Sequence, residues 1–135
     1  MQSTAHISIT MVRHGQTTGN VQQLMQGHTP GELSPLGHKQ VNLLGQRLRS
    51  EIYDHIYCSD LNRCRQTLDG VISNSENKEQ FANVVYTEEL REMCFGEAEN
   101  KEGSLWLSEM TKSQLDPRLF KFPGGENSDD VKERA

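Results

Sequence analysis

The chain has no long apolar run. Nothing in it approaches the roughly 18 residues that a membrane span needs, and Met1-Gln2-Ser3-Thr4-Ala5-His6 lacks the basic-then-apolar layout of a signal peptide. Cysteine is scarce: Cys58, Cys64 and Cys94 are the full set. An odd number at these spacings suits neither a disulfide scaffold nor a zinc ligand set, and it points to a reducing, cytoplasmic location. Positive charge is also short. Fourteen Lys and Arg stand against 19 Asp and Glu, for a net charge of -5, which argues against the basic footprint of a nucleic-acid binder. Apolar residues make up 33% and aromatics 6%, lean for a globular core. No unit repeats at a period of roughly 20 to 50 residues, so a solenoid is excluded. What remains is one soluble domain over residues 1–135. Nothing in the pattern fixes an oligomeric state.

What is present alternates. Ile7-Ser8-Ile9-Thr10-Met11-Val12 is rich in β-branched residues, stops at Arg13-His14-Gly15, and reads as a strand. A polar, glycine-punctuated stretch to about Glu32 reads as a loop. Ser34-Pro35 is a helix start, with Val41, Leu44, Leu48 and Ile52 spaced as one apolar face. Gly37 and Gly45 near that face predict close packing on a sheet. His55 to Cys58 is a second strand, Leu61, Cys64, Leu68, Val71 and Ile72 a second helical face, and Val84-Val85-Tyr86 a third strand. This order predicts an α/β domain with a parallel sheet covered by helices. Leu105, Trp106 and Met110 suggest a further helix, and Asn127-Ser128-Asp129-Asp130 begins another with acids at its positive end.

In an open parallel sheet the carboxyl ends of the strands share one edge, and ligands bind there. That edge collects Arg13-His14-Gly15 with Asn20, then Ser59 to Arg63, then Glu88 to Glu92. An imidazole, two guanidiniums and a carboxylic acid suit phosphoryl transfer that needs neither metal nor organic cofactor. Guanidiniums match phosphoryl oxygens by paired hydrogen bonds. An imidazole nitrogen takes the group covalently, and two flanking cations keep it unprotonated. An acid then protonates the leaving oxygen. Bland readings stand beside this one. His14 and Arg13 also fit a solvated loop, and the acid is not singled out among Glu88, Glu89, Glu92, Glu97 and Glu99, most of which should form an exposed face. Arg65, His28 and His38 read as surface or loop, and Cys58 and Cys64 as small buried apolar residues.

Taken in order, Arg13-His14-Gly15-Gln16-Thr17 with Asn20, Leu33-Ser34-Pro35-Leu36-Gly37, Ser59-Asp60-Leu61-Asn62-Arg63-Cys64-Arg65-Gln66-Thr67, Leu90-Arg91-Glu92 before Phe95-Gly96, and Pro123-Gly124-Gly125-Glu126 form a recognisable series. The chain resembles the histidine phosphatase superfamily in its phosphoglycerate-mutase branch, and within it the TIGAR-type fructose-2,6-bisphosphatases. The resemblance implies a three-layer α/β/α fold with a mainly parallel central sheet. It implies His14 as the phosphorylated nucleophile and Glu92 as the proton donor. Arg13, Asn20 and Arg63 are implied as phosphate ligands, with Gln26-Gly27 in the loop over the substrate. The implied substrate is a small phosphorylated sugar such as fructose 2,6-bisphosphate, with a phosphoglycerate mutase as the sibling alternative. No metal or cofactor is implied.

The series also departs from the family. Relatives carry a second histidine on a later strand, whereas His6, His14, His28, His38 and His55 all precede residue 56. The expectation is therefore a chain cut short at its C-terminus, with the sheet incomplete and the edge near Ile7 to Val12 bare. A non-catalytic fragment that only binds phosphate or a partner is the corresponding alternative, with little turnover by these 135 residues alone. Asn100, where relatives often have glycine, is expected to take a left-handed backbone, and Asn127 to cap its helix.

Overall fold

The computed structural model describes residues 6–135. Helix α2 (Pro35–Arg47) begins as its sequence dictates: Ser34 is extended, its hydroxyl accepts the Gly37 N–H at 3.0 Å, and Pro35 occupies the first turn. Helix α3 (Asn62–Asn74) packs along it. Val41 is buried in the seam, and Leu44 and Leu48 are half-buried. Ile52 lies past the helix end and is 74% exposed, so the apolar face stops a turn earlier than the spacing predicts. Gly45 makes the close approach, but to a helix rather than to a sheet. A Cβ there would lie 2.5 Å from the Gly70 carbonyl oxygen of α3. Gly37 does the same against the backbone of Gln16.

The sheet is short. Strand β1 (Tyr57–Ser59) pairs in parallel with β2 (Val85–Thr87), Tyr57 opposite Val85 and Ser59 opposite Thr87, and α3 connects them and packs on β1. These are the second and third predicted strands. The first is not formed: Ile7 to Val12 has no strand partner among the described residues, with Ile7 87% and Met11 90% exposed. β-branched residues favour a strand, but a ladder needs a second chain segment to satisfy its N–H and C=O groups. The loop predicted to follow contains a single helical turn, α1 (Thr18–Val21), started by a reciprocal cap between Thr17 and Asn20.

A second core forms beyond the sheet. Trp106 of α4 (Ser104–Ser113) meets Phe95, Phe120 and Phe122 edge-to-face at 5.8, 5.1 and 5.9 Å, around buried Met25 and Ala98. Such pairs contribute about 0.5–1.5 kcal/mol each beyond the area they bury. Met25 ties the 22–28 loop to this cluster, since its N–H donates to Lys101 and its carbonyl accepts from Asn100. Asn100 takes the expected left-handed backbone at φ 63°. Helix α5 (Ser128–Arg134) starts at Asn127, whose side chain accepts the N–H groups of Asp129 and Asp130. No helix among the described residues is long and apolar enough to cross a membrane.

Candidate active site

His14 stands where the first segment turns toward α3. The Gly15 N–H donates to the Thr67 hydroxyl at 3.0 Å, and that hydroxyl donates to the Arg63 carbonyl at 2.8 Å, so the turn is tied to the helix that carries Arg63. The Gly15 carbonyl lies 2.8 Å from His14 Nδ1. A carbonyl can only accept, so Nδ1 carries the hydrogen and Nε2 keeps its lone pair. Burial lowers the His14 pKa from its ordinary value. The positive fields of Arg63 and Arg13 lower it further, against the Gly15 hydrogen bond and the Glu92 charge. The ring is therefore neutral and nucleophilic at neutral pH.

Arg63 is 2% exposed although it sits in the first turn of α3. Its terminal nitrogens donate to the carbonyls of Thr29 (2.6 Å) and Gly27 (2.8 Å), and its backbone N–H donates to Pro30 at 3.1 Å. A cation opposes the dipole at a helix start, and here the 27–30 carbonyls offset that conflict. Nε is buried and unpaired. With one hydrogen left on each terminal nitrogen, the guanidinium keeps a forked donor set for an oxyanion. Gln26 lies beside it: a Cβ on Gly31 would sit 2.8 Å from Gln26 Oε1 and 3.3 Å from Arg63 Cδ. Gly27 is at φ 48°, and any side chain there would overlap the Glu99 carboxylate. Glu99 in turn accepts the N–H groups of His28 (2.7 Å) and Phe95 (3.2 Å). One carboxylate thus holds the loop that encloses Arg63.

Glu92 follows β2 after a single 3-10 turn (Glu88–Leu90) and is exposed. Its carboxylate is felt at His14, which places the acid within electrostatic reach of the ring. Its neighbour Arg91 donates through Nε to Asp60 Oδ1 at 2.7 Å and through a terminal nitrogen to Oδ2. Asp60 follows β1, so this forked pair joins the two strand ends that carry Arg63 and Glu92. Arg91 holds the Asp60 carboxyl below its ordinary pKa.

Of the residues the sequence singles out, His14, Arg13, Arg63 and Glu92 share one electrostatic neighbourhood, and Gln26 and Gly27 lie against Arg63. Asn20 is exposed and its carboxamide oxygen accepts the Thr17 N–H at 3.0 Å, which leaves only its NH2 end for a ligand. Arg13 is exposed. Several bland readings hold: Glu88, Glu89 and Glu97 are exposed, and Cys58 is buried, with burial pushing its thiol up to about 11. Arg65 is exposed but not idle, with its guanidinium 4.0 Å over the Tyr86 ring. His28 lies in a loop, as expected, but is half-buried, with Nε2 3.7 Å from Glu126, and Glu99 is the half-buried exception among acids that are otherwise exposed. Asp60, Thr67 and Arg134 escaped sequence reasoning. The available signal for Asp60 was its place just beyond a strand, one residue from the Leu61 that precedes α3.

The pattern described as Histidine phosphatase superfamily (branch 1) matches residues 9–135. Fructose-2,6-bisphosphatase TIGAR of Xenopus tropicalis is 35% identical over 133 residues, covering 97% of this chain and 48% of that protein. Broad-specificity phosphatase YOR283W of Saccharomyces cerevisiae is 40% identical over 92 residues, covering 67% of this chain and 39% of that protein. Among solved structures, the alpha-ribazole phosphatase from Shigella flexneri superimposes with a TM-score of 0.77 at 29% identity, covering 91% of this chain and 60% of that one. The α/β, phosphoglycerate-mutase-like fold class agrees with that neighbour, the sheet being two strands wide among the described residues. The chain spans about half the length of the curated TIGAR relatives it matches.

Proposed function

The chain belongs to the histidine phosphatase superfamily, branch 1, and from that premise we propose that the protein carrying it hydrolyses a phosphate monoester of a small sugar phosphate, with fructose 2,6-bisphosphate the preferred candidate. His14 Nε2 attacks phosphorus, the bond to the sugar oxygen breaks, and the Glu92 carboxylic acid gives that oxygen its proton. The products of this half are the free sugar hydroxyl, phospho-His14 and a Glu92 carboxylate. Water then attacks phosphorus and passes a proton to Glu92 as the P–N bond breaks. Inorganic phosphate leaves, and the neutral ring and the carboxylic acid are restored.

The observation that carries the reading is the tautomer. A ring pinned through Nδ1–H to the Gly15 carbonyl presents a free lone pair at Nε2, beside a buried guanidinium with donors to spare. Arg63, with Arg13 and the NH2 end of Asn20, neutralises the phosphoryl oxygens. This charge stabilisation supplies the largest share of the rate. Gln26 and Gly27 form the loop over the substrate. The sugar-bisphosphate preference is supported by the similarity to proteins named fructose-2,6-bisphosphatase, which extends over nearly all of this chain.

Turnover of fructose 2,6-bisphosphate, phosphoglycerate and a simple alkyl phosphate, each with and without a metal chelator, tests this. The expected result is phosphate release that is fastest with the bisphosphate, indifferent to the chelator, and lost in His14→Ala. Transfer of the group to a second phosphoglycerate hydroxyl in place of water would assign a mutase instead. Activity retained in His14→Ala would remove the nucleophile from the account.

A further inference from the structure

Glu92 has little of its own to hold it. Its side chain is exposed, and among the described residues its carboxylate accepts only the N–H of the adjacent Met93, at 3.1 Å. Its position is therefore set by the backbone on either side, and that backbone is gripped from the outer face by one residue of α5. The terminal nitrogens of Arg134 donate to four carbonyls of the 88–92 segment: Glu88 at 3.0 Å, Glu89 at 2.8 Å, Arg91 at 3.2 Å and Glu92 itself at 3.5 Å. The same guanidinium is forked onto Glu126, Nε to Oε1 at 2.8 Å and a terminal nitrogen to Oε2 at 3.0 Å. Glu126 Oε2 also accepts the Cys94 N–H at 2.9 Å, two residues beyond Glu92. Upstream carbonyls on Arg134 and a downstream amide on Glu126 bracket the acid.

The pair itself is well fixed. Both side chains are less than one-fifth exposed, and a guanidinium–carboxylate fork with every donor engaged has one geometry. Arg134 holds the Glu126 carboxyl below its ordinary pKa, so the anion persists across the neutral range. Neither member hydrogen-bonds to His14 or Arg63 among the described residues, although Glu126 Oε2 lies 3.7 Å from His28 Nε2 in the loop that encloses Arg63.

We propose that Arg134, anchored on Glu126, is the positioning residue for proton donation: it clamps the 88–92 segment so that the Glu92 carboxyl meets the leaving oxygen. This inference rests on the reading of Glu92 as the proton donor. An acid displaced by about 1 Å no longer shares its proton in the transition state, so the loss falls on substrates whose leaving oxygen needs that proton. Substrates whose leaving group departs as a stable anion are spared.

The test compares kcat/KM for an alkyl phosphate with that for 2,4-dinitrophenyl phosphate in the protein that carries this sequence. Arg134→Gln should lower the alkyl phosphate value by about ten- to a hundredfold and change the dinitrophenyl value by less than about threefold. Arg134→Lys, which keeps the charge and loses the fork, should recover part of the loss. Arg134→Gln added to Glu92→Gln should cost nothing further on the alkyl substrate. If Arg134→Gln does not fold, Glu126→Gln must show the same selectivity for the poor leaving group. An equal fall on both substrates, or no fall on either, overturns the clamp. If Glu92→Gln itself shows no leaving-group dependence, the donor assignment fails and the clamp falls with it. A selective Glu92→Gln beside an unselective Arg134→Gln sinks the clamp alone.

Discussion

The two working ends of the site are held by opposite means. Arg63 is enclosed: the residue is 2% exposed and its guanidinium donates to the carbonyls of Gly27 and Thr29, in a loop that Glu99 braces from behind. The segment carrying Glu92 is exposed and is tied down by ion pairs, Arg91 to Asp60 on the strand side and Arg134 to Glu126 on the helix side. The difference suits the role proposed for each group. A cation that binds an oxyanion gains from a dry, preorganised setting, where its field is strongest. An acid that gives up and regains a proton each cycle must stay near water and needs only its position fixed.

The largest effect is expected at the buried end. Arg63→Ala removes the fork and takes the donor from the buried Gly27 and part-buried Thr29 carbonyls, so kcat/KM should fall by about a thousandfold. Arg63→Lys should recover little of it, because an ammonium cannot span both carbonyls and an oxyanion. Steady-state kinetics on either leaving group measures both, and a mild Arg63→Lys would show that charge alone suffices. At the exposed end, Arg91→Ala breaks the bridge between the strand ends. Denaturant unfolding should show a loss of about 2 kcal/mol, the scale of a lost hydrogen-bonded charge partner. Phosphate binding should change little.

Acidity separates the two ends more gently. Asp60 and Glu126 both have folded pKa values below their ordinary ones. Their contribution is thus complete above the ordinary carboxylate value near 4 and is lost as pH falls through the depressed values. Amide exchange in residues 88–94 should rise in that window before exchange rises around residues 27–31. His14 shifts the other way in function, since its lowered pKa keeps the ring neutral. Phosphoryl uptake should stay level as pH falls through the ordinary imidazole value near 6.5 and decline only below it. Arg13→Gln removes one cation and should move that acid limb up. A downward move would contradict the field assigned to Arg13.

Local chemistry was legible in advance. Ser34-Pro35 and Asn127 announce their helices because a cap is a contact within four residues, and the sites beyond the strands follow from which edge a parallel sheet offers. The bracing acids were not. Glu99 holds an amide 71 residues away, and Arg134 reaches carbonyls 42 to 46 residues away. Nothing in the spacing of a run of glutamates tells which one will be enclosed. Ile7 to Val12 fails for a related reason. Its residues fit a strand, but a strand is a property of two segments, and among the described residues no second segment lies beside it. Gly45 shows the same limit at smaller scale: the close contact was foreseen, and the partner turned out to be Gly70 of a helix.

The proposed chemistry turns on His14 Nε2 taking the phosphoryl group while Arg63 holds its oxygens. The most direct measurement is to quench a reaction with labelled substrate in alkali and locate the label by mass spectrometry. The account predicts phosphate on His14, stable in base and lost in acid, absent from His14→Ala and strongly reduced in Arg63→Ala. Label on any other residue, or label that persists in His14→Ala, would contradict it.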